Sequence, residues 1–249
     1  MKTKIKLLVA LAAITIGTSA NATIATVFDG ITAGVSSFST TVNNAGGTES
    51  VDVWTNISNG VSINRTDYTI TQNDGGVGTV TTYHDMSGKA IVINPAGGGS
   101  NPRTDPMDYF NSGISFTFTS AVNAIGFEVG DWATCCFAPT TELFISFDDG
   151  APILVASATT GSDGRFPSQF NPNNLVTDIF VAAFDDTGDF TKVSFWGNGL
   201  GEYLVAGGQV RYALLNQGSL PGGVPEPASL ALFGLGILGL GFARRRKIN

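Results

Sequence analysis

ISFTFTSAVNAIGFEVGDW, residues 114–132, and ELFISFDDGAPI, residues 142–153, decide the fold. Ile114, Phe116 and Phe118 alternate with Ser115 and Thr117. That period of two turns one face of a strand toward a core and the other toward water. Ile125, Phe127 and Val129 repeat the pattern, and so do Leu143, Ile145 and Phe147. Outward from this centre, Phe38–Val42, Val51–Thr55, Tyr68–Thr71 and Val193–Trp196 read as further alternating strands. Gln209–Leu214 places Val210, Tyr212 and Leu214 on one face. Ala90–Ile93, Ile153–Ala156 and Ile179–Phe184 are more continuously apolar, as strands covered on both faces are. Gly, Asn, Asp and Pro punctuate the gaps, and no helical pattern of ten residues or more stands out between residues 23 and 215. The spacing predicts one all-β domain over residues 23–215, an antiparallel β-sandwich. Phe147–Ala151 is expected to be a tight hairpin whose Asp-Gly pair supplies the positive φ. Residues 94–108 and 161–174 are long loops.

Charge excludes one class of partner. The 249 residues carry a formal net charge of -7, yet residues 23–224 hold 6 basic side chains against 19 acidic ones. So acidic a body repels polyphosphate, and no nucleic-acid partner is expected. One histidine and two cysteines rule out a multi-histidine site and a four-cysteine zinc site.

The two ends carry a different kind of information. Lys2, Lys4 and Lys6 precede the apolar run Leu7–Ile16, and Ala20 and Ala22 then stand at the -3 and -1 positions of a cleavage site. That order is the layout of a secretory signal peptide, residues 1–22, with the mature chain starting at Thr23. At the other end, residues 216–224 (NQGSLPGGV) form a Gly/Pro-containing linker. After it come Val224, Pro225, Glu226 and Pro227, an apolar run from Ala228 to Ala243, and the cluster Arg244, Arg245, Arg246 and Lys247. Sixteen apolar residues make a helix about 24 Å long, short of a hydrocarbon core of about 30 Å unless the basic side chains snorkel and the bilayer thins. The basic cluster orients such a transmembrane helix with its tail in the cytoplasm and the body outside. Gly234-Leu235-Gly236-Ile237-Leu238-Gly239 matches G-x-G-x-x-G, but the chain ends ten residues later, without the strand, helix and acid of a dinucleotide site.

Residues 224–248, with Pro-Glu-Pro, a Gly/Leu-rich helix and an Arg cluster in that order, resemble the PEP-CTERM sorting signal of Gram-negative bacteria. The resemblance implies export, transient anchoring in the inner membrane by residues 225–249, and processing by an exosortase-type transpeptidase. It also implies a destination at the cell surface or in an exopolysaccharide, biofilm or floc matrix. The stretch 114–153 is similar to the jelly-roll-like sandwiches that such proteins carry, a fold shared by lectins and carbohydrate-binding modules. Gly207-Gly208-Gln209 stands where an Asp-Asn or Asp-Asp pair would precede the last strand of those domains.

Three constellations in the body could carry chemistry. Adjacent Cys135 and Cys136 in an exported chain favour a vicinal disulfide, with free thiols or an intermolecular bridge as the alternatives. Asp185, Asp186 and Asp189 put three carboxylates in five residues, a pattern that could hold Ca2+ or simply shape a solvated turn. Trp132, flanked by Asp131 in a loop, is the candidate for stacking on a sugar, with core packing as the alternative, while Trp54 and Trp196 lie in strands and are expected in the core. His84 is expected on an exposed loop, and no Gly-x-Ser-x-Gly elbow accompanies it. No catalytic residue or organic cofactor is assigned. The sequence reading is therefore a non-enzymatic, sorted surface or matrix protein in contact with polysaccharide. Its alternatives are a secreted polysaccharide-active hydrolase using paired carboxylates, or an oligomerising structural protein.

Overall fold

Alternating side chains become strands only where a second layer covers their apolar face. The computed structural model describes residues 24–93, 105–133, 141–197 and 203–220, which lie within one compact unit, Ala22–Gly222. In chain order the strands are β1 (Ile24–Gly30), β2 (Ser50–Val53), β3 (Ile63–Asn64), β4 (Tyr68–Gln72) and β5 (Val80–Thr82). Next come β6 (Lys89–Ile93), β7 (Ile114–Val122), β8 (Ala124–Gly130), β9 (Thr141–Phe147) and β10 (Ile153–Ala158). The last are β11 (Phe166–Pro167), β12 (Leu175–Val176), β13 (Ile179–Asp185), β14 (Phe190–Gly197) and β15 (Leu204–Ala213). Helix α1 spans Ile31–Asn44, and a short 3-10 helix spans Pro106–Ser112.

One sheet runs β1-β13-β8-β15-β6-β5, with β2 pairing the far half of β15; the other runs β10-β9-β14-β7-β4-β3. The pairings among these strands are antiparallel. Phe127 of β8 lies 5.3 Å from the Phe116 ring of β7 and 4.8 Å from the Phe195 ring of β14, so the two sheets share a core. Each such buried ring stabilises the fold by about 1.5–3 kcal/mol relative to exposure.

The chain changes sheets at Asn123, between β7 and β8. Its buried amide donates to the Leu215 carbonyl at 3.0 Å and accepts the Leu215 N–H at 2.6 Å. Its backbone carbonyl receives the Asp185 N–H at 2.8 Å. A strand leaving one sheet for another has backbone groups that lose their ladder partners, and this one side chain and its carbonyl reconnect the corner.

Three expectations need correction. Phe38–Val42 is not a strand but the second half of α1, a helix of 14 residues where none longer than nine was expected. Ile31, Gly34, Phe38 and Val42 are its buried residues, at helical spacing. Phe38 packs 5.2 Å from the Phe184 ring and 6.1 Å from Phe180, on the outer face of β13. A Cβ at Gly34 would come within 2.6 Å of the Phe180 Cβ, so a glycine there lets the helix lie close to the sheet. In the β9–β10 hairpin, Asp148 (φ 46°) and Asp149 (φ 60°) take the left-handed conformation, rather than an Asp-Gly pair. Asp148 Oδ1 accepts the Thr191 and Lys192 amides, which stitches this turn to β14.

The third correction concerns residues 216–220, read as linker, which are docked on the body. Leu220 is buried with Phe38 and Phe184. Its N–H donates to Asp186 Oδ2 at 2.7 Å, and the Gly218 N–H donates to the Asp186 carbonyl at 3.1 Å. Asp186→Ala would leave the buried Leu220 amide unsatisfied. It is expected to cost about 1–3 kcal/mol and to open Asn216–Leu220 to limited proteolysis before the sandwich itself is cut.

Candidate functional site

The densest polar cluster lies on the outer face of the first sheet, beyond α1. Alternation along β8 sends Ile125, Phe127 and Val129 into the shared core and leaves Glu128 on the opposite face. Glu128 is fully buried because the loop Tyr83–Gly88 and the segment Ser168–Asp178 cover it. The Ser87 N–H donates to Glu128 Oε2 at 2.6 Å, and the Ser87 hydroxyl donates to Oε1. Asp85 accepts the Ser168 hydroxyl at 2.8 Å and the Gln169 N–H at 3.0 Å, while its own N–H donates to Asp178 Oδ2 at 3.2 Å. The Gln169 side-chain amide donates to the Asp85 carbonyl.

Burial dominates the electrostatics of this cluster. It pushes the Glu128 carboxyl up to about 7, against the two Ser87 hydrogen bonds that favour the anion; the Asp178 charge adds to the rise and Arg211 opposes it. Burial likewise pushes Asp178 up to about 6, with the Asp85 N–H opposing and the Asp85 charge reinforcing. Tyr83 is raised by burial and by its hydrogen bond to Asp131. Perturbed carboxyls of this kind mark candidate catalytic groups. A glycosidase pair, however, must face a substrate from either side. Glu128 and Asp178 are at most 2% exposed; Glu128 holds the covering loop to β8, and Asp178 holds that loop to the second covering segment. The arrangement clamps the covering loops. His84 stands at its exposed margin, its ring 4.7 Å from that of Tyr83.

A second network ties β2 to β4. Arg65 donates to Asp52 through Nε at 2.8 Å and Nη2 at 2.6 Å. The Tyr68 hydroxyl donates to Asp52 Oδ2 at 2.7 Å and accepts the buried Trp54 indole N–H at 2.7 Å. The Arg65 hydrogen bond, with help from Tyr68, holds the Asp52 carboxyl below the usual carboxylate range despite partial burial.

The sequence candidates fall differently. Trp132 is not a surface residue. It is fully buried, with Phe28 of β1 set edge-on at 6.0 Å and the 159–164 turn over it, so its face cannot stack on a sugar. Loop placement misled because β1, which precedes α1, closes over that loop. Trp54, just past the end of β2, and Trp196 of β14 are core residues, as expected.

Asp185, Asp186 and Asp189 do not form an ion cradle. Asp185 accepts the Thr187 N–H within its own turn, and Asp186 points inward to Leu220. Among the described residues no group of three His, Cys, Asp or Glu side chains is arranged to hold a metal. Cys135 and Cys136, the cleavage residues Ala20 and Ala22, the motif Val224–Pro227 and the cluster Arg244–Lys247 lie outside the described residues. Among the described residues no helix is long and apolar enough to cross a membrane. Sequence reasoning singled out neither Glu128 nor Asp178; the available signal was one acid inside the apolar run AIGFEVG.

Comparison with known proteins places the tail. Residues 223–247 match the PEP-CTERM protein-sorting motif, whose presence implies export and exosortase-dependent sorting. No curated protein matches the chain. Among solved structures, the body is similar to a mutant of a family 29 carbohydrate-binding module, at 10% identity and a TM-score of 0.33, over 72% of this chain and 99% of that one.

Proposed function

We propose that the protein is secreted by the signal peptide of residues 1–22 and held transiently in the inner membrane by residues 225–249. There an exosortase-type transpeptidase processes it at Val224–Pro227. Its β-sandwich then works without catalysis at the surface or in the extracellular matrix of a Gram-negative bacterium, by contacting exopolysaccharide. The match at residues 223–247 carries this reading. Two features of the body support it. Nineteen acids against six bases suit a neutral partner better than an anionic one. Both Glu128 oxygens hold the covering loop to β8, and Asp178 Oδ2 holds the same loop through the Asp85 N–H.

The reading predicts that truncation before Pro225 releases the body from the membrane fraction, with all detectable protein in the soluble fraction. Fractionation with an antibody to the body checks it. Unchanged membrane retention of the truncated chain contradicts it.

A further inference from the structure

At one end of the sandwich, where β2 and β15 of one sheet part from β7 of the other, a crevice of about 270 Å³ opens to solvent. Its walls come from both sheets: Ser50 of β2, Tyr212 of β15, and Phe118 and Thr119 of β7. Thr48 and Asp67 complete it from the flanking loops. Ligand pockets for drug-sized molecules run from about 300 to 1,000 Å³, so this one has room for a single ring.

The floor is aromatic and rigid. Phe118 and Tyr212 are 5.3 Å apart, and Tyr68 sits behind them at 5.3 and 5.8 Å. The rim is made of hydroxyls around one carboxylate. Asp67 is exposed; its Oδ2 accepts the Tyr212 hydroxyl at 2.5 Å, and its backbone carbonyl accepts both the Thr119 N–H and the Thr119 hydroxyl. Burial, together with the hydrogen bond to Asp67, raises the Tyr212 pKa, so the phenol stays a proton donor to Asp67.

Among the described residues no cation lines this crevice and Asp67 alone supplies charge, which disfavours carboxylate and phosphate ligands. An ammonium would need several anions or an open aromatic face to replace its hydration, and this crevice offers one carboxylate already engaged by Tyr212. Hydroxyl side chains both donate and accept, so they pair with ligand hydroxyls without an uncompensated charge. The carbon of the Phe118 and Tyr212 rings beneath them gives the C–H groups of a pyranose an apolar floor for van der Waals contact.

We infer that this crevice, built by Asp67, Tyr212, Ser50 and Thr119 over Phe118, binds one neutral pyranose unit of a polysaccharide. The inference rests on the polysaccharide-contact reading and supplies its site.

The test is ligand-observed saturation-transfer NMR on the full chain in detergent micelles. The probes are methyl glucoside, methyl galactoside and methyl mannoside as neutral pyranosides, with glucuronate and glucosamine as the charged arms. At least one neutral pyranoside should show transfer, and the two charged sugars should show little. Ser50→Tyr, at an exposed position on β2, should fill the crevice and reduce the signal at least tenfold. Asp67→Asn keeps an acceptor for Tyr212 and should weaken binding several-fold. Thermal unfolding close to that of the parent chain qualifies each variant, and Thr119→Ala serves as the replacement if either fails to fold. Transfer from glucosamine alone, or transfer from neutral sugars that no variant diminishes, overturns the site. Cosedimentation of the same preparations with purified exopolysaccharide separates the two claims. Retention of polymer by parent and variants alike removes the crevice and leaves the broader reading standing. Failure to bind either monosaccharide or polymer removes both.

Discussion

Gly207→Ala should be among the most damaging single-methyl changes in this protein, with a loss of about 3–5 kcal/mol. Gly207 sits at φ +140°, where an L side chain is strained by about 1–3 kcal/mol. A Cβ there would overlap the six-membered ring of Trp54, and overpacking a rigid indole adds about 1–3 kcal/mol. Trp54 cannot step aside. Its N–H donates to the Gly208 carbonyl at 2.9 Å, its carbonyl accepts the Lys89 N–H at 2.8 Å, and its indole is fixed to Tyr68. It thus bridges β15 to β6 at the place where β2 ends. Gly207 and Gly208 form the irregularity that interrupts the register of β15 against β8, between Gly207 and Val210. Denaturant unfolding of residues 23–222 measures the loss. A cost below about 1 kcal/mol would mean that Trp54 is not seated on this glycine.

Glu128→Gln should make the protein more stable at pH 8 by about 3 kcal/mol, while leaving it nearly unchanged at pH 4. Burial raises the Glu128 carboxyl from 4.5 in the unfolded chain to about 7 in the native one. The native state therefore binds the proton more tightly. Stability from this group is fully present below about 4.5, falls as pH rises, and is lost above about 7. A shift of that size corresponds to roughly 3 kcal/mol at about 1.4 kcal/mol per unit. Asp178, raised from 3.8 to about 6, acts in the same direction at slightly lower pH. Asp52 acts in the opposite direction at the acid end. The difference between parent and variant isolates the Glu128 contribution. The facing groups to hold constant are Ser87 and Asp85 on the covering loop, His84 beside them, Asp178 on the second covering segment, Asp131 after β8, and Arg211 on β15. A difference that does not change between pH 4 and pH 8 contradicts the burial argument.

Much of the fold was legible because covered strands alternate or run apolar. Ile114–Phe118, Ile125–Val129, Leu143–Phe147, Val193–Trp196 and Ile179–Phe184 all lie within strands. Helix α1 was hidden by its composition. ITAGVSSFSTTVNN is rich in Ser, Thr, Gly and Asn, which are weak helix formers, and it has no charged residue. Packing of Phe38 and Val42 on the outer face of the first sheet outweighs that propensity. The short apolar run Phe38–Val42 fits both periods, and the wider spacing Ile31, Gly34, Phe38, Val42 is what separates them.

The site was less legible than the fold. Trp132 lay in a loop, and nothing local announces that β1, over a hundred residues earlier, covers it. Asp185 and Asp186 are adjacent in sequence, yet one caps its own turn and the other turns into the body. Tyr212 and Phe118 were legible as inward-facing strand residues. Their junction with Asp67, which stands 51 positions before Phe118 and 145 before Tyr212, is a product of the two sheets meeting at one end. The tail required no fold at all, because its order of motif, apolar run and basic cluster is a local signal, and it matches over residues 223–247.

The most direct test of the central claim is the intact mass of the protein recovered from outside the cells that make it. The account predicts a chain that begins at Thr23 and has lost the apolar run Ala228–Ala243 with its basic tail, and that stays full-length at its C-terminus and membrane-bound when the exosortase-type enzyme is removed. An extracellular chain with Met1 and Asn249 both present, or one whose C-terminus is the same with and without that enzyme, would contradict it.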